Sequence, residues 1–295
     1  MFDARLPHVP DDWTVWAFSD SHGVTSALRR ALGEAGLIDS AGHWAAPPRT
    51  ALIGCGDYID RGGDIAGTVE LLRRLQQEAA TGGGAALLAR GNHEAMPLMA
   101  SRGDLRWLDT WLHYGGQATL GSFCGDAASP EPEPAIIERM EACQPGIFDW
   151  FASLYEAVRW RGILFVHGGL APEHGLDHLG ITTDEHLWVR SGFFDTPWEA
   201  EDFDLYRAAG IERVVFGHTP QWQGPTFHHE GRSLGIDTNA VGNPRVPEHA
   251  VQELTLIGLP ADGTFEDLRI IRVPTSDAPD RMDPAILEAI PPTGP

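Results

Sequence analysis

"ALIGCGDYIDRGGD", residues 51–64, decides the fold. The apolar run Ala51-Leu52-Ile53 passes through Gly54, Cys55 and Gly56 to Asp57, with Asp60, Arg61 and Asp64 close behind. A short apolar run stopped by glycine is the pattern of a buried strand. Two carboxylates and a guanidinium are costly neighbours for a buried strand end, so they point to a use for charge there. The stretch that follows, "DIAGTVELLRRLQQEAA" (64–80), has helical periodicity, with Asp64 as its N-cap and Gly82-Gly83-Gly84 as its stop.

The same alternation extends to both sides. "WTVWAFSDSHG" (13–23) reads as a strand running into a loop, followed by the helical "VTSALRRALGEAG", and "AALLARGNHE" (85–94) reads as a third strand. Strand, helix, strand, helix, strand argues for a parallel α/β core with right-handed crossovers. Residues 95–160 read as a mostly helical insertion, with 125–134 as its most mobile part. Strands resume at "GILFVHGGL" (162–170), and after a second insertion over about 171–210 at "RVVFGHTP" (213–220). "GRSLGIDTNAV" (231–241), "HAVQELTLIGL" (249–259) and "FEDLRIIRV" (265–273) read as late, antiparallel strands. The Pro- and Asp-rich segment 274–295 is expected to be a loosely held tail of one domain spanning 1–295.

Composition narrows the function classes. The 295 residues are 42% hydrophobic, an ordinary globular content. The formal charge is −21, and all 21 basic residues are arginine. A surface this acidic repels phosphate backbones, which argues against duplex nucleic acid as a partner. Cys55, Cys124 and Cys143 are odd in number and widely spaced, so no disulfide is expected and a reducing cytoplasm is the default location. No secretory signal or membrane-spanning apolar run is read in the chain.

Five strand ends carry metal-type side chains: Asp20 with His22, Asp57, Asn92 with His93, His167, and His218. Ligands of parallel α/β sheets bind outside the carboxyl ends of the strands, so neighbouring strands would aim all five ends into one crevice. Carboxylate and imidazole together suit Mn, Fe or Zn. Taken alone, Asp-x-His is more often a turn than a ligand pair, and a histidine ending a strand is more often simply hydrogen-bonded. The ordered recurrence of all five carries the metal reading.

The set "DSHG … GDYIDRG … RGNHE … VHGG … GHTP" resembles the calcineurin-like metallophosphoesterases, in the form used by their phosphoprotein phosphatase branch. The context of "GDYIDRG" is similar to the Shewanella-like phosphatases, and "WLHYGGQATLGSF" and "LWVRSGF" are similar to bacterial and phage protein phosphatases. The resemblance covers roughly residues 15–245. It implies a four-layer α/β/β/α sandwich of two mixed β-sheets. It also implies two divalent metal ions about 3–4 Å apart, with manganese first and Fe or Zn as alternatives. Asp20 and His22 would bind one ion, Asn92, His167 and His218 the other, and Asp57 would bridge them. The implied reaction is hydrolysis of a phosphomonoester, on a phosphoprotein or phosphopeptide, by direct attack of a hydroxide shared by the metals.

His93 cannot readily join Asn92 on one ion, so it reads as the general acid that protonates the leaving oxygen, oriented by Asp60. For Asp60 the plainer reading is a salt bridge to an arginine. Arg61 offers a planar fork for phosphate oxygens, and Arg190 matches the second phosphate arginine of the phage-like enzymes, the plainer reading being a surface arginine. Ser19 and Asn239 stand where the family has glycine, and Asp237 reads as structural. Trp107, Trp111, Trp188, Phe193, Phe194 and Trp198 could rim the site, though most of them read as packing residues. Two alternatives remain: a hydrolase of dinucleoside polyphosphates or small phosphate esters, and a catalytically inactive metal-binding interaction module.

Overall fold

Period-two alternation in the apolar runs divides their side chains between three cores. In this computed structural model, which describes residues 6–125, 133–172, 175–176, 185–242, 247 and 249–282, the strands form two sheets. Strands β2 (Thr14–Phe18), β3 (Thr50–Gly54), β4 (Ala85–Leu88), β10 (Glu253–Leu259) and β11 (Arg269–Pro274) make the first, in the order β11-β10-β2-β3-β4. Strands β1 (His8–Val9), β5 (Ala157–Trp160), β6 (Ile163–Val166), β7 (Arg213–Phe216), β8 (Thr226–His228) and β9 (Ser233–Gly235) make the second, in the order β1-β5-β6-β7-β9-β8. Both sheets are mixed. β2, β3 and β4 run parallel beside antiparallel β10, and β6, β7 and β9 run parallel between antiparallel β5 and β8.

Val15, Ala17, Ala51 and Ile53 of the first sheet meet Ile163, Phe165 and Val215 of the second in a core between the sheets. Their sequence neighbours Trp16, Phe18 and Leu52 face outward, under α1 (Thr25–Glu34) and α2 (Ile65–Thr81). Leu164, Val166, Val214 and Phe216 face outward on the second sheet, under aromatic residues of the 171–210 insertion. Helix, sheet, sheet, helix is the layering the resemblance implied.

Helices α3 (Asn92–Ser101), α4 (Arg106–Trp111), α5 (Gln117–Cys124), α6 (Glu133–Cys143) and α7 (Ile147–Ser153) build the first insertion, with a π-type turn over Leu112–Gly116. Helices α8 (Glu185–Trp188), α9 (Ser191–Phe194) and α10 (Asp204–Ala208) occur in the second.

Several expectations are corrected. β4 stops at Leu88 and does not reach Glu94, because the Glu94 carboxylate accepts the Gly91 N–H at 2.9 Å and starts α3 at Asn92. β5 lies inside the stretch read as helical, and β1 and β8 are too short to show a period. β9 pairs parallel with β7, because β8 supplies the antiparallel reversal ahead of it. Cys124 and Cys143 form a disulfide, their Cα atoms 5.5 Å apart, since α5 and α6 pack side by side; Cys55 stays free and buried. Cysteine spacing therefore gives no argument for a reducing compartment. The tail is docked as far as it is described: Asp280 accepts the Ser26 N–H at 2.6 Å and its carbonyl accepts the Gly63 N–H at 2.8 Å. Residues 283–295, and residues 126–132 of the stretch expected to be most mobile, lie outside the described residues. Among the described residues no helix is long and apolar enough to cross a membrane.

The Asp64 cap is as the sequence predicts: its Oδ1 accepts the Gly67 N–H at 3.0 Å. Asp64→Ala is expected to cost about 1 kcal/mol of unfolding free energy by urea titration; an unchanged midpoint would show the bond to be dispensable.

Candidate active site

The loops that leave the parallel strands stay paired beyond the strand ends. Asp20, His22 and Gly23 donate their N–H groups to the carbonyls of Gly56, Asp57 and Tyr58, each at 3.0 Å. In the second sheet Gly217 N–H reaches the His167 carbonyl at 2.8 Å. The five strand ends thus converge, but from two sheets: Asp20, His22, Asp57, Asn92 and His93 from the first, His167 and His218 from the second.

Holding them so close strains the backbone. Asp20, His22, Asp57, Asp60, Arg61 and His218 all have φ between 41° and 72°, the left-handed region that side chains other than glycine's avoid. Such residues cost about 1–3 kcal/mol each and persist only where the surroundings fix them. Glu94 is one fixture, buried, accepting the backbone N–H groups of Asp57 (3.0 Å), Tyr58 (2.7 Å) and Ile59 (3.2 Å) as well as Gly91. Close approach is the other: a Cβ at Gly91 would overlap Asp57 Oδ1, and one at Gly217 would overlap Asp20 Oδ2. Asn239 takes φ 60°, a conformation that asparagine adopts more readily than most side chains.

Asp57 sits at the meeting point. Its Oδ1 is 3.3 Å from His167 Nε2 and its Oδ2 is 3.4 Å from His22 Nε2. His22 Nδ1–H donates to the Ile59 carbonyl at 2.7 Å, and His167 Nδ1–H to the Cys55 carbonyl at 2.8 Å, so both rings turn Nε2 inward. Asn92 Oδ1 is 2.8 Å from His167 Nε2. His218 Nε2 is buried with no hydrogen-bond partner among the described residues. Two donor groups emerge, His22, Asp57 and His93, and Asp57, His167 and His218, with ligand atoms within 4.8 Å of one another in each. An orphaned imidazole nitrogen and a carboxylate shared between two donor groups fit a pair of divalent cations. Asp20 belongs to neither group: its Oδ2 accepts the His218 N–H at 3.0 Å and the Ser19 hydroxyl.

Electrostatics match the donor sets. Burial lowers His22 to about 3, helped by Arg61, and holds His93 and His218 well below the usual histidine range. These rings are neutral and can offer a lone pair. Burial opposes charge on His167 too, but the Asp57 carboxylate outweighs it and raises that imidazole to about 9. Burial also pushes Asp57 upward, and His167 and His93 overcome this to hold it well below the usual carboxylate range.

His93 Nδ1–H donates to Asp60 Oδ2 at 2.6 Å. Among the described residues Asp60 makes no salt bridge to an arginine; it is fully buried, and Trp111 Nε1–H (2.9 Å) and the Thr119 hydroxyl donate to its Oδ1. Arg61 donates through Nη1 to His22 Nε2 at 3.0 Å and through Nη2 to His93 Nε2 at 2.8 Å. Its N–H donates to the Gly115 carbonyl at 3.3 Å. The first insertion therefore holds Asp60 and Arg61 directly, a part that "LRWLDTWLHYGGQAT" did not reveal because its residue types are those of ordinary packing.

Asp57, Asn92, His93, His218, Arg61 and Arg190 share an open cavity of about 90 Å³. Arg190 is exposed, as the plainer reading has it, yet it stands on the cavity wall, where Nη1 donates to the His218 carbonyl at 3.2 Å and to the Thr219 hydroxyl at 3.1 Å. Asp20, His22, His167 and Asp60 are buried and do not line the cavity. Of the aromatic candidates only Trp188 does, with Trp107 stacked on it at 6.0 Å. Trp111, Phe193 and Trp198 are core residues. Tyr114 also lines the cavity without having been singled out in the sequence. So does Asp237, which has more than a structural place: it stands just past the end of β9, the same signal that marks the other strand ends.

The calcineurin-like phosphoesterase family pattern matches residues 14–240. Shewanella-like protein phosphatase 2 of Arabidopsis thaliana is 33% identical, over 79% of this chain and 74% of its own. Serine/threonine-protein phosphatase 1 of Salmonella typhimurium is 35% identical, over 70% of this chain and 78% of its own. The solved cold-active protein-tyrosine phosphatase of a psychrophilic Shewanella species, at 21% identity, shares the fold with a TM-score of 0.55 over 92% of this chain and 84% of its own. With its strand-end donors gathered and its family pattern matched over most of its length, the chain belongs to the calcineurin-like phosphoesterases.

Proposed function

We propose that this phosphoesterase hydrolyses phosphomonoesters on proteins, using two divalent cations, manganese first among them, that share Asp57. The observation that carries this reading is the pair of donor groups meeting at Asp57 below a cavity with Arg61 and Arg190 on its walls. Bound there, the cations would neutralise phosphate oxygens and acidify a water near phosphorus. His22 and Asp57 would hold one, with Asp20 close by, and Asp57, Asn92, His167 and His218 the other. Arg61 and Arg190 donate to the non-bridging phosphate oxygens. As Arg61 turns its Nη2 from His93 to the phosphate, the His93 Nε2 lone pair is freed to take up a proton from solvent, which it then passes to the leaving oxygen. Asp60 keeps Nδ1 the donor nitrogen and stabilises the imidazolium. Tyr114 and Trp188 beside the arginines favour an aryl ester such as phosphotyrosine. The relatives from Arabidopsis thaliana and Salmonella typhimurium are named as protein phosphatases, which supports a phosphoprotein substrate.

Turnover of p-nitrophenyl phosphate with and without Mn²⁺ tests the activity, and phosphotyrosine peptide, phosphoserine peptide and diadenosine polyphosphate in parallel test the substrate. Preference for the dinucleotide would overturn the protein-phosphatase reading, and absence of turnover with Mn²⁺ would favour an interaction module.

His93→Asn is expected to lower kcat by about 10²–10⁴ with metal content unchanged, whereas Asp57→Asn should deplete the metal. Metal loss in His93→Asn, by elemental analysis, would assign that ring to the His22 and Asp57 donor group.

A cation at His167 must displace the proton that Asp57 holds there up to about pH 9. Affinity for Mn²⁺ should therefore rise with pH toward about 9 and fall in acid, read by calorimetry in buffers of differing ionisation enthalpy. An affinity flat between pH 6.5 and 9 would contradict the ligand role.

A further inference from the structure

Three ionisable side chains outside the cavity are buried together where the two sheets meet the second insertion. Arg90 is 6% exposed, Glu156 1% and His186 2%. Arg90 donates through Nη2 to Glu156 Oε1, and His186 Nε2 stands 3.3 Å from Glu156 Oε2. Burial pushes the Glu156 carboxyl up, but His186 and Arg90 together pull it below the usual range, so Arg90 and Glu156 form a buried ion pair.

Each member is tied to a different part of the site. Arg90 lies two residues before Asn92, and its N–H reaches the Tyr155 carbonyl at 2.8 Å. Glu156 immediately precedes β5. His186 belongs to α8, and its carbonyl accepts the N–H of Gly168, the residue after His167, at 2.9 Å. Helix α8 has four residues, far below the length at which a helix holds itself, so tertiary contacts must fix it. It carries Trp188, whose ring meets His218 edge-on at 6.1 Å, and it leads into Arg190.

A buried ion pair adds little net stability, because desolvation offsets the attraction, so its use here is placement. We infer that the Arg90–Glu156–His186 chain is a positioning device that sets Trp188 and Arg190 over the ligand loops of Asn92 and His167. His186 is thereby a positioning residue for phosphate recognition. The inference rests on the proposed phosphate contact of Arg190.

A double-mutant cycle tests it, with KM and kcat for p-nitrophenyl phosphate at saturating Mn²⁺ and the inhibition constant of inorganic phosphate. His186→Phe is expected to raise KM and that constant about tenfold, more than it lowers kcat, with metal content intact. His186→Gln, which restores an N–H toward Glu156, should recover most of the loss. Arg190→Ala should raise the same constants, and adding His186→Phe to it should change them less than about twofold. Equal losses from His186→Phe in both backgrounds, or no change in either constant, would overturn the inference while leaving the role of Arg190 standing. No effect of Arg190→Ala alone would overturn both. If His186→Phe does not fold, Glu156→Gln carries the same cycle.

Discussion

Asp57 is the group on which the site depends. One of its oxygens faces a histidine from the first sheet and the other a histidine from the second, so the two halves of the sandwich meet in a single carboxylate. Two further features reinforce its negative charge. The His93 N–H, at the start of α3, donates to Oδ1 at 3.1 Å, adding the positive end of a helix to the charge of His167. An aspartate so placed would be expensive in an apolar core. Here the His167 imidazole and the His93 backbone N–H favour its ionised form.

That arrangement rests on a second buried carboxylate. Glu94 accepts four backbone N–H groups from two separate chain segments and so closes the turn from β3 around the start of α3. The left-handed residues Asp57, Asp60 and Arg61 occur beside or within the loop that Glu94 gathers. The first insertion then adds Thr119 and Trp111 against Asp60 and the Gly115 carbonyl against Arg61. Site geometry is thus set by groups that never touch the cavity, which is a general requirement for holding a reactive constellation.

Much of the site was legible because its chemistry interrupts apolar strands. Asp57, Asn92, His167 and His218 each follow a β-type run, and the structure brings all four together. Legibility failed where the signal is geometric. Asp20 is present and buried, yet it is engaged by His218 N–H and Ser19, and only coordinates reveal that. Tyr114 and Trp111 look alike in sequence, but one lines the cavity and the other supports Asp60 from the core. β5 was hidden because four residues between a helix and the next strand carry no usable period, and the Cys124–Cys143 pair because residue spacing does not tell which helices pack together. Asp237 was legible in principle, since it too follows a strand end, but β9 is only three residues long.

The central claim is that Asp57 is shared by two cations. Anomalous diffraction at the manganese edge, from crystals grown with Mn²⁺, tests it most directly. Two peaks are expected, one on the Oδ2 side of Asp57 toward His22 and one on the Oδ1 side toward His167 and His218. A single peak, or peaks that leave Asp57 uncoordinated, would contradict it.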